Sequence, residues 1–77
     1  MTDQPTITLY QFETCPFCLR VRSKLYSLGI KYEKVEVDRN NKPAIVTETG
    51  GMVPVVKIGE KVMSDSARII EYLEENF

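Results

Sequence analysis

Seventy-seven residues, 27% of them charged and with a formal net charge of −1, imply one small domain with a modest core and exclude a nucleic-acid partner recruited by bulk charge. No apolar run reaches the length of about 20 residues that spans a bilayer. Two cysteines and no histidine remove the commonest metal ligand and the commonest general base.

Residues 1–5 read as a loose lead-in. They lack a basic stretch followed by an apolar one, so no secretory leader is expected and the cytoplasm is the expected location. Ile7-Thr8-Leu9-Tyr10 is rich in β-branched and aromatic residues and predicts the first strand. Pro16 to Leu28 predicts a helix, with Cys18, Val21, Leu25 and Leu28 on one stripe and Gly29 as the stop. Lys31 to Asp38 alternates Tyr32, Val35 and Val37 against Glu33 and Glu36, with one slip, and predicts a second strand. At Asn40-Asn41-Lys42-Pro43 a short helix is expected, with an asparagine as cap, Pro43 in the first turn and an end near Gly50-Gly51. Val53 to Ile58 predicts a third strand, Gly59-Glu60 a two-residue hairpin turn and Lys61 to Met63 a fourth strand. Ser64-Asp65-Ser66 opens a last helix with Ile69, Ile70, Leu73 and Phe77 inward and Glu71, Glu74 and Glu75 outward. The order β-α-β-α-β-β-α fits a small mixed sheet: a parallel first pair with a right-handed crossover, then an antiparallel hairpin.

The chemistry concentrates in Cys15-Pro16-Phe17-Cys18, at the junction between the first strand and the first helix. There Cys15 meets unpaired backbone N–H groups and the positive end of the helix dipole. Such a setting lowers a thiol from about 8.5 toward roughly 3.5–7.5. Cys18, three residues on, shares nearly the same side of the first turn and can close a disulfide with Cys15. Pro16 suits the first helical position, where its missing N–H costs nothing. The plain alternatives are two small buried residues, or half a zinc site whose remaining ligands come from another chain.

Three motifs in order carry a family likeness: Cys15-Pro16-Phe17-Cys18, Val53-Pro54 before the third strand, and Ser64-Asp65-Ser66 at the final helix. Together they resemble the glutaredoxins and, equally, the N-terminal thioredoxin-like domain of glutathione transferases. Met52-Val53-Pro54-Val55 and the run Asp65 to Leu73 lean toward the transferases, and the two-cysteine motif leans toward the glutaredoxins. The resemblance covers the chain from about Ile7 to Leu73. It implies a thioredoxin-like α/β fold with a four-stranded mixed sheet. It also implies a glutathione-dependent thiol–disulfide oxidoreductase acting in electron transport and cell redox homeostasis. Glutathione would be the reductant, disulfide-containing or glutathionylated proteins the substrates, with no metal and a monomeric chain.

Carried over residue by residue, the likeness makes Cys15 the nucleophile and Cys18 the resolving cysteine. Val53 becomes the residue whose backbone pairs with the cysteinyl part of glutathione, and Pro54 a cis-proline. Asp65 and Ser66 hold the γ-glutamyl end, and Phe17 is a candidate substrate contact. A proline cannot donate to a sheet ladder, so the backbone before it is free to meet an extended peptide. A helix start at Asp65-Ser66 offers N–H groups to a carboxylate, and the Asp65 side chain suits an ammonium. One departure stands out: the position three residues before the first cysteine, where glutaredoxins often carry lysine, is Phe12. The glycyl carboxylate then needs another cation, and Lys42 or Arg39 is the candidate. Two further readings compete: a dimer sharing an iron–sulfur cluster through Cys15 of each chain, and a stand-alone glutathione-binding domain of transferase type with little redox turnover.

Overall fold

The computed structural model describes residues 5–77, so the expected lead-in lies, apart from Pro5, outside the described residues. Four strands and three helices follow in the expected order: β1 (Ile7–Gln11), α1 (Pro16–Ser27), β2 (Glu33–Glu36), α2 (Ala44–Thr47), β3 (Val55–Ile58), β4 (Lys61–Ser64) and α3 (Ser66–Asn76). The sheet order is β2-β1-β3-β4, with β1 and β2 parallel and the other two pairs antiparallel.

Strand β1 is central, and its alternation shows it: Ile7, Leu9 and Gln11 are buried, Thr8 and Tyr10 only partly. Ile7 pairs with Ile58 and Leu9 with Val56, so apolar side chains from β1 and β3 stand together on one face. Val21 and Leu25 of α1 and Ile69 and Leu73 of α3 cover that face. Val37, Val46 and Val55 form a second cluster with Tyr10, Phe12, Ile45 and Val53 packed on it. The sheet is therefore sandwiched between α1 with α3 and the smaller α2 segment.

Helix α1 begins where Pro16 supplies a helical φ at no cost in hydrogen bonds and stops at Gly29, whose φ is +69°. The Gly29 N–H donates to Tyr26 O and the Ile30 N–H to Leu25 O, both at 3.0 Å, closing the last turn. Leu28 caps this end and is 36% exposed, so it leaves the inward stripe the periodicity gave it. Leu28 is the last residue before the chain turns left-handed at Gly29 and leaves the helix.

Four other expectations are corrected. The third strand starts at Val55, not Val53, since Pro54 has no N–H to give to a ladder. The second strand is only Glu33–Glu36, an exposed edge strand, with Val37 buried just beyond it and donating its N–H to Gln11 O at 2.8 Å. Asn40 and Asn41 do not cap α2. Asp38 takes the local donors instead, its side chain accepting from Asn40 N–H at 2.9 Å and its carbonyl from Asn41 N–H at 3.1 Å. Pro43 therefore stands at the cap of α2 in extended conformation, not in its first turn. Phe77 caps the end of α3, its N–H donating to Leu73 O at 3.0 Å, and is 41% exposed rather than inward.

The hairpin is as expected: Ile58 pairs with Lys61 across Gly59-Glu60, with Gly59 at φ +59°. Among the described residues, no helix is long and apolar enough to cross a membrane.

Candidate functional site

Cys15 is the cap residue of α1, in extended conformation. Its N–H donates to Phe12 O at 3.1 Å and its carbonyl accepts from Leu19 N–H at 3.0 Å, so the thiol-bearing residue is pinned at both ends of its own backbone. It is half-buried, whereas Cys18 is fully buried against the core, and both are free thiols.

Their acidities diverge. Burial is the largest single influence on the Cys15 thiol and pushes it up. The Cys18 backbone N–H, the Cys18 thiol, the Phe17 N–H and the positive charge of Arg39 together outweigh it, and the thiol lies below its ordinary value. Burial also dominates at Cys18, where it is joined by the hydrogen bond and charge of Cys15. The Phe12 N–H and Arg22 oppose these only in part, and the thiol is pushed up to about 11. One sulfur is thus prepared to ionise while its neighbour keeps its proton.

The loop that delivers Cys15 is braced from below by polar groups. Gln11, fully buried at the end of β1, donates to Glu13 at 3.0 Å and to Glu36 at 3.1 Å, and accepts from Arg22 of α1. Glu36 also accepts the Glu13 N–H at 2.9 Å. Hydrogen bonding from Gln11, then the hydrogen bond and charge of Lys34 at 3.3 Å, hold the Glu13 carboxyl below the usual range.

Beside the motif lies an open cavity of about 350 Å³. Phe17, Val53, Pro54, Asp65 and Ser66 all line it, so five of the eight expected site residues share one surface. Phe17 is 52% exposed, with the Arg20 guanidinium 5.6 Å from its ring centroid. The Val53–Pro54 bond is cis, and neither the N–H nor the carbonyl of Val53 has a hydrogen-bond partner among the described residues. Asp65 caps α3, its Oδ1 accepting from Ala67 N–H at 3.1 Å and its carbonyl from Ile69 N–H at 3.0 Å. Its φ of +75° is the left-handed conformation that aspartate tolerates better than most side chains.

Cys15 and Cys18 do not line this cavity; Phe17, between them, does. Lys42 does not itself line the cavity: its Nζ donates to Gly51 O at 2.6 Å, between the wall residues Gly50 and Met52, tying the segment before α2 to the turn that follows it. The cavity wall also includes Thr49, Gly50, Met52 and Ser64, to which the sequence reading gave no role at the site. The Gly50-Gly51 pair signals only a turn, and a lone exposed methionine such as Met52 carries no chemical signature. Among the described residues no three or more acidic or cysteine side chains are grouped to hold a metal.

The geometry agrees with comparisons to known proteins. A family model described as "Glutathione S-transferase, N-terminal domain" matches residues 9–77. Zebrafish (Danio rerio) prostaglandin E synthase 2 is 39% identical over 69 residues, covering 88% of this chain and 18% of that protein. Rice GST1, solved in complex with glutathione, superposes with a TM-score of 0.91 at 25% identity, covering 99% of this chain and 35% of that one. Glutaredoxin 2 from Salmonella typhimurium, also in complex with glutathione, gives a TM-score of 0.80 at 25% identity, covering 91% and 33%. The chain thus spans between about a sixth and about a third of these longer relatives. With its thioredoxin-like sheet, its cis-proline and its match from residue 9 to residue 77, the chain belongs to the family of glutathione S-transferase N-terminal domains.

Proposed function

We propose that this chain binds glutathione and works as a glutaredoxin-type thiol–disulfide oxidoreductase on glutathionylated and disulfide-containing proteins. The observation that carries the reading is the pairing of a Cys15 thiol held below its ordinary value with a cavity that begins at Phe17 and ends at the capped start of α3. The glutathione-bound relatives support the choice of tripeptide. Its γ-glutamyl carboxylate meets the N–H groups at Ser66, its ammonium meets Asp65, and its backbone runs beside Val53.

For a glutathionylated protein, the Cys15 thiolate attacks the glutathione sulfur. A Cys15–glutathione disulfide forms and the protein thiolate leaves, taking a proton from solvent. A second glutathione thiolate attacks the glutathione sulfur of that mixed disulfide, releasing glutathione disulfide and restoring the Cys15 thiolate. For a protein disulfide, Cys15 forms the mixed disulfide with the substrate. Cys18 then loses its proton and attacks Cys15 Sγ, and two glutathione molecules reduce the resulting pair. The hydrogen bond and charge that Cys15 places on Cys18 disappear once Cys15 is in a disulfide, which releases two of the influences holding the Cys18 proton. Exchange of this kind needs a thiolate, a leaving group and access, not a histidine base.

The test is turnover of a glutathione mixed disulfide. Cys15→Ser removes it, while Cys18→Ser keeps it and loses reduction of protein disulfides. Turnover that survives Cys15→Ser contradicts the reading. A second reading, a glutathione-binding module of transferase type with little redox turnover, is favoured by the family match and by the full burial of Cys18. Glutathione binding without turnover in the native chain selects it.

A further inference from the structure

The position three residues before Cys15 holds a phenylalanine, and the structure shows what that ring does. Phe12 is half-buried against the cluster of Val37, Val46 and Val55, and its carbonyl accepts the Cys15 N–H at 3.1 Å. The ring is therefore fixed to the stretch of chain that carries the thiol. Over it lies Arg39, with Cζ 4.4 Å from the ring centroid, well inside the range of a cation–π contact. Arg39 is fixed at its own end as well, in the turn that Asp38 closes on Asn40 and Asn41.

The surrounding charges are committed elsewhere. Lys34 and Arg22 pair with Glu13 at 3.3 and 3.9 Å, and Lys24 pairs with Glu74 at 2.7 Å. Lys42 is bound to the Gly51 carbonyl and Arg20 leans on Phe17. The Asp38 carboxylate accepts from the turn, and Arg22 acts on the neighbouring Cys18. Among the described residues Arg39 has no ion-pair partner.

From this geometry we infer that Arg39 supplies the positive charge that favours the Cys15 thiolate, and that Phe12 is the positioning residue that holds the guanidinium in place through its ring face. The site thus obtains its cation from the loop after β2 rather than from the residue three before the cysteine. The charge of Arg39 is also among the influences that lower the Cys15 thiol. The inference rests on the reading of Cys15 as the nucleophile.

The experiment is alkylation of Cys15 by iodoacetamide across pH at low ionic strength, with the modified residue located by mass spectrometry. Arg39→Ala raises the midpoint of the profile by about half a pH unit or more, the field of an exposed cation being partly screened. Arg39→Lys gives a smaller rise. Phe12→Leu keeps apolar packing, removes the ring face and raises the midpoint as well. Salt near 1 M, where the screening length falls to about 3 Å, moves the native midpoint toward that of Arg39→Ala and leaves that variant in place. An Arg39→Ala midpoint equal to the native one, or an Arg39→Lys rise as large as that of Arg39→Ala, overturns the role of Arg39. A midpoint unchanged by Phe12→Leu overturns that of Phe12. Alkylation needs no glutathione, so the two levels separate. A native midpoint at the ordinary thiol value defeats the reading of Cys15 itself, whereas a lowered native midpoint indifferent to Arg39 defeats this inference alone.

Discussion

At the scale of single residues, the two cysteines lie on opposite sides of the ordinary thiol value. Cys15 lies below its ordinary value when folded, so in the unfolded chain it binds its proton more tightly. Its contribution to stability is present above the ordinary thiol value and is lost as pH falls through the folded one. Cys18 runs the other way. Pushed up to about 11, it keeps its proton when folded and loses it more easily when unfolded, so stability falls as pH rises from about 9 toward 11. Urea unfolding across alkaline pH is expected to show this decline in the native chain and a flatter curve in Cys18→Ala. Asp65 also has two separable roles. Asp65→Asn keeps an acceptor for the Ala67 N–H and tolerates the left-handed φ, so stability holds while glutathione affinity drops by about tenfold with the lost charge pair. Asp65→Ala loses the cap as well and costs about 1 kcal/mol. Calorimetric titration of both variants with glutathione, beside their urea midpoints, checks the separation.

At the scale of elements, the junction between β1 and α1 matters most, because it sets the thiol at the helix start. Gln11 holds it from inside the core with bonds to Glu13, Glu36 and Arg22. Arg22→Ala leaves the buried Gln11 carbonyl without its donor and is expected to cost about 1–3 kcal/mol in urea unfolding. Gly29 closes the other end of α1. A Cβ there meets nothing within 4 Å, so Gly29→Ala costs only the left-handed strain, about 1 kcal/mol, and leaves turnover unchanged. The elements visible in the sequence are those specified by local chemistry. Pro16 and Gly29 bracket α1, and Gly59 makes the hairpin. What stayed hidden was decided by competition. Asp38 captured the N–H groups around the asparagines, and α2 shrank to Ala44–Thr47. Gln11 looks like an ordinary strand residue, and its burial depends on partners 2, 11 and 25 residues away.

At the scale of the molecule, the sheet order β2-β1-β3-β4 brings distant stretches to one cleft. The antiparallel pairing of β3 with β1 and β4 carries Pro54 and Ser64 to the end of the sheet where α1 starts. This long-range arrangement was legible because three motifs occur in a fixed order, and the resemblance they carry supplied the topology that periodicity alone does not. The placement of Lys42 on Gly51 and of Arg39 on Phe12 was not legible. Both depend on side chains crossing between loops, where sequence spacing holds no information.

The proposed function requires that the ionisable sulfur and the start of α3 grip the same tripeptide. The most direct measurement is the crystal structure of the Cys18→Ser variant joined to glutathione as a mixed disulfide. The predicted result is a single disulfide to Cys15, the tripeptide backbone beside Val53 and the γ-glutamyl group against Asp65 and Ser66. A disulfide-linked glutathione that lies away from the cavity, with Asp65 and Ser66 untouched, would contradict it.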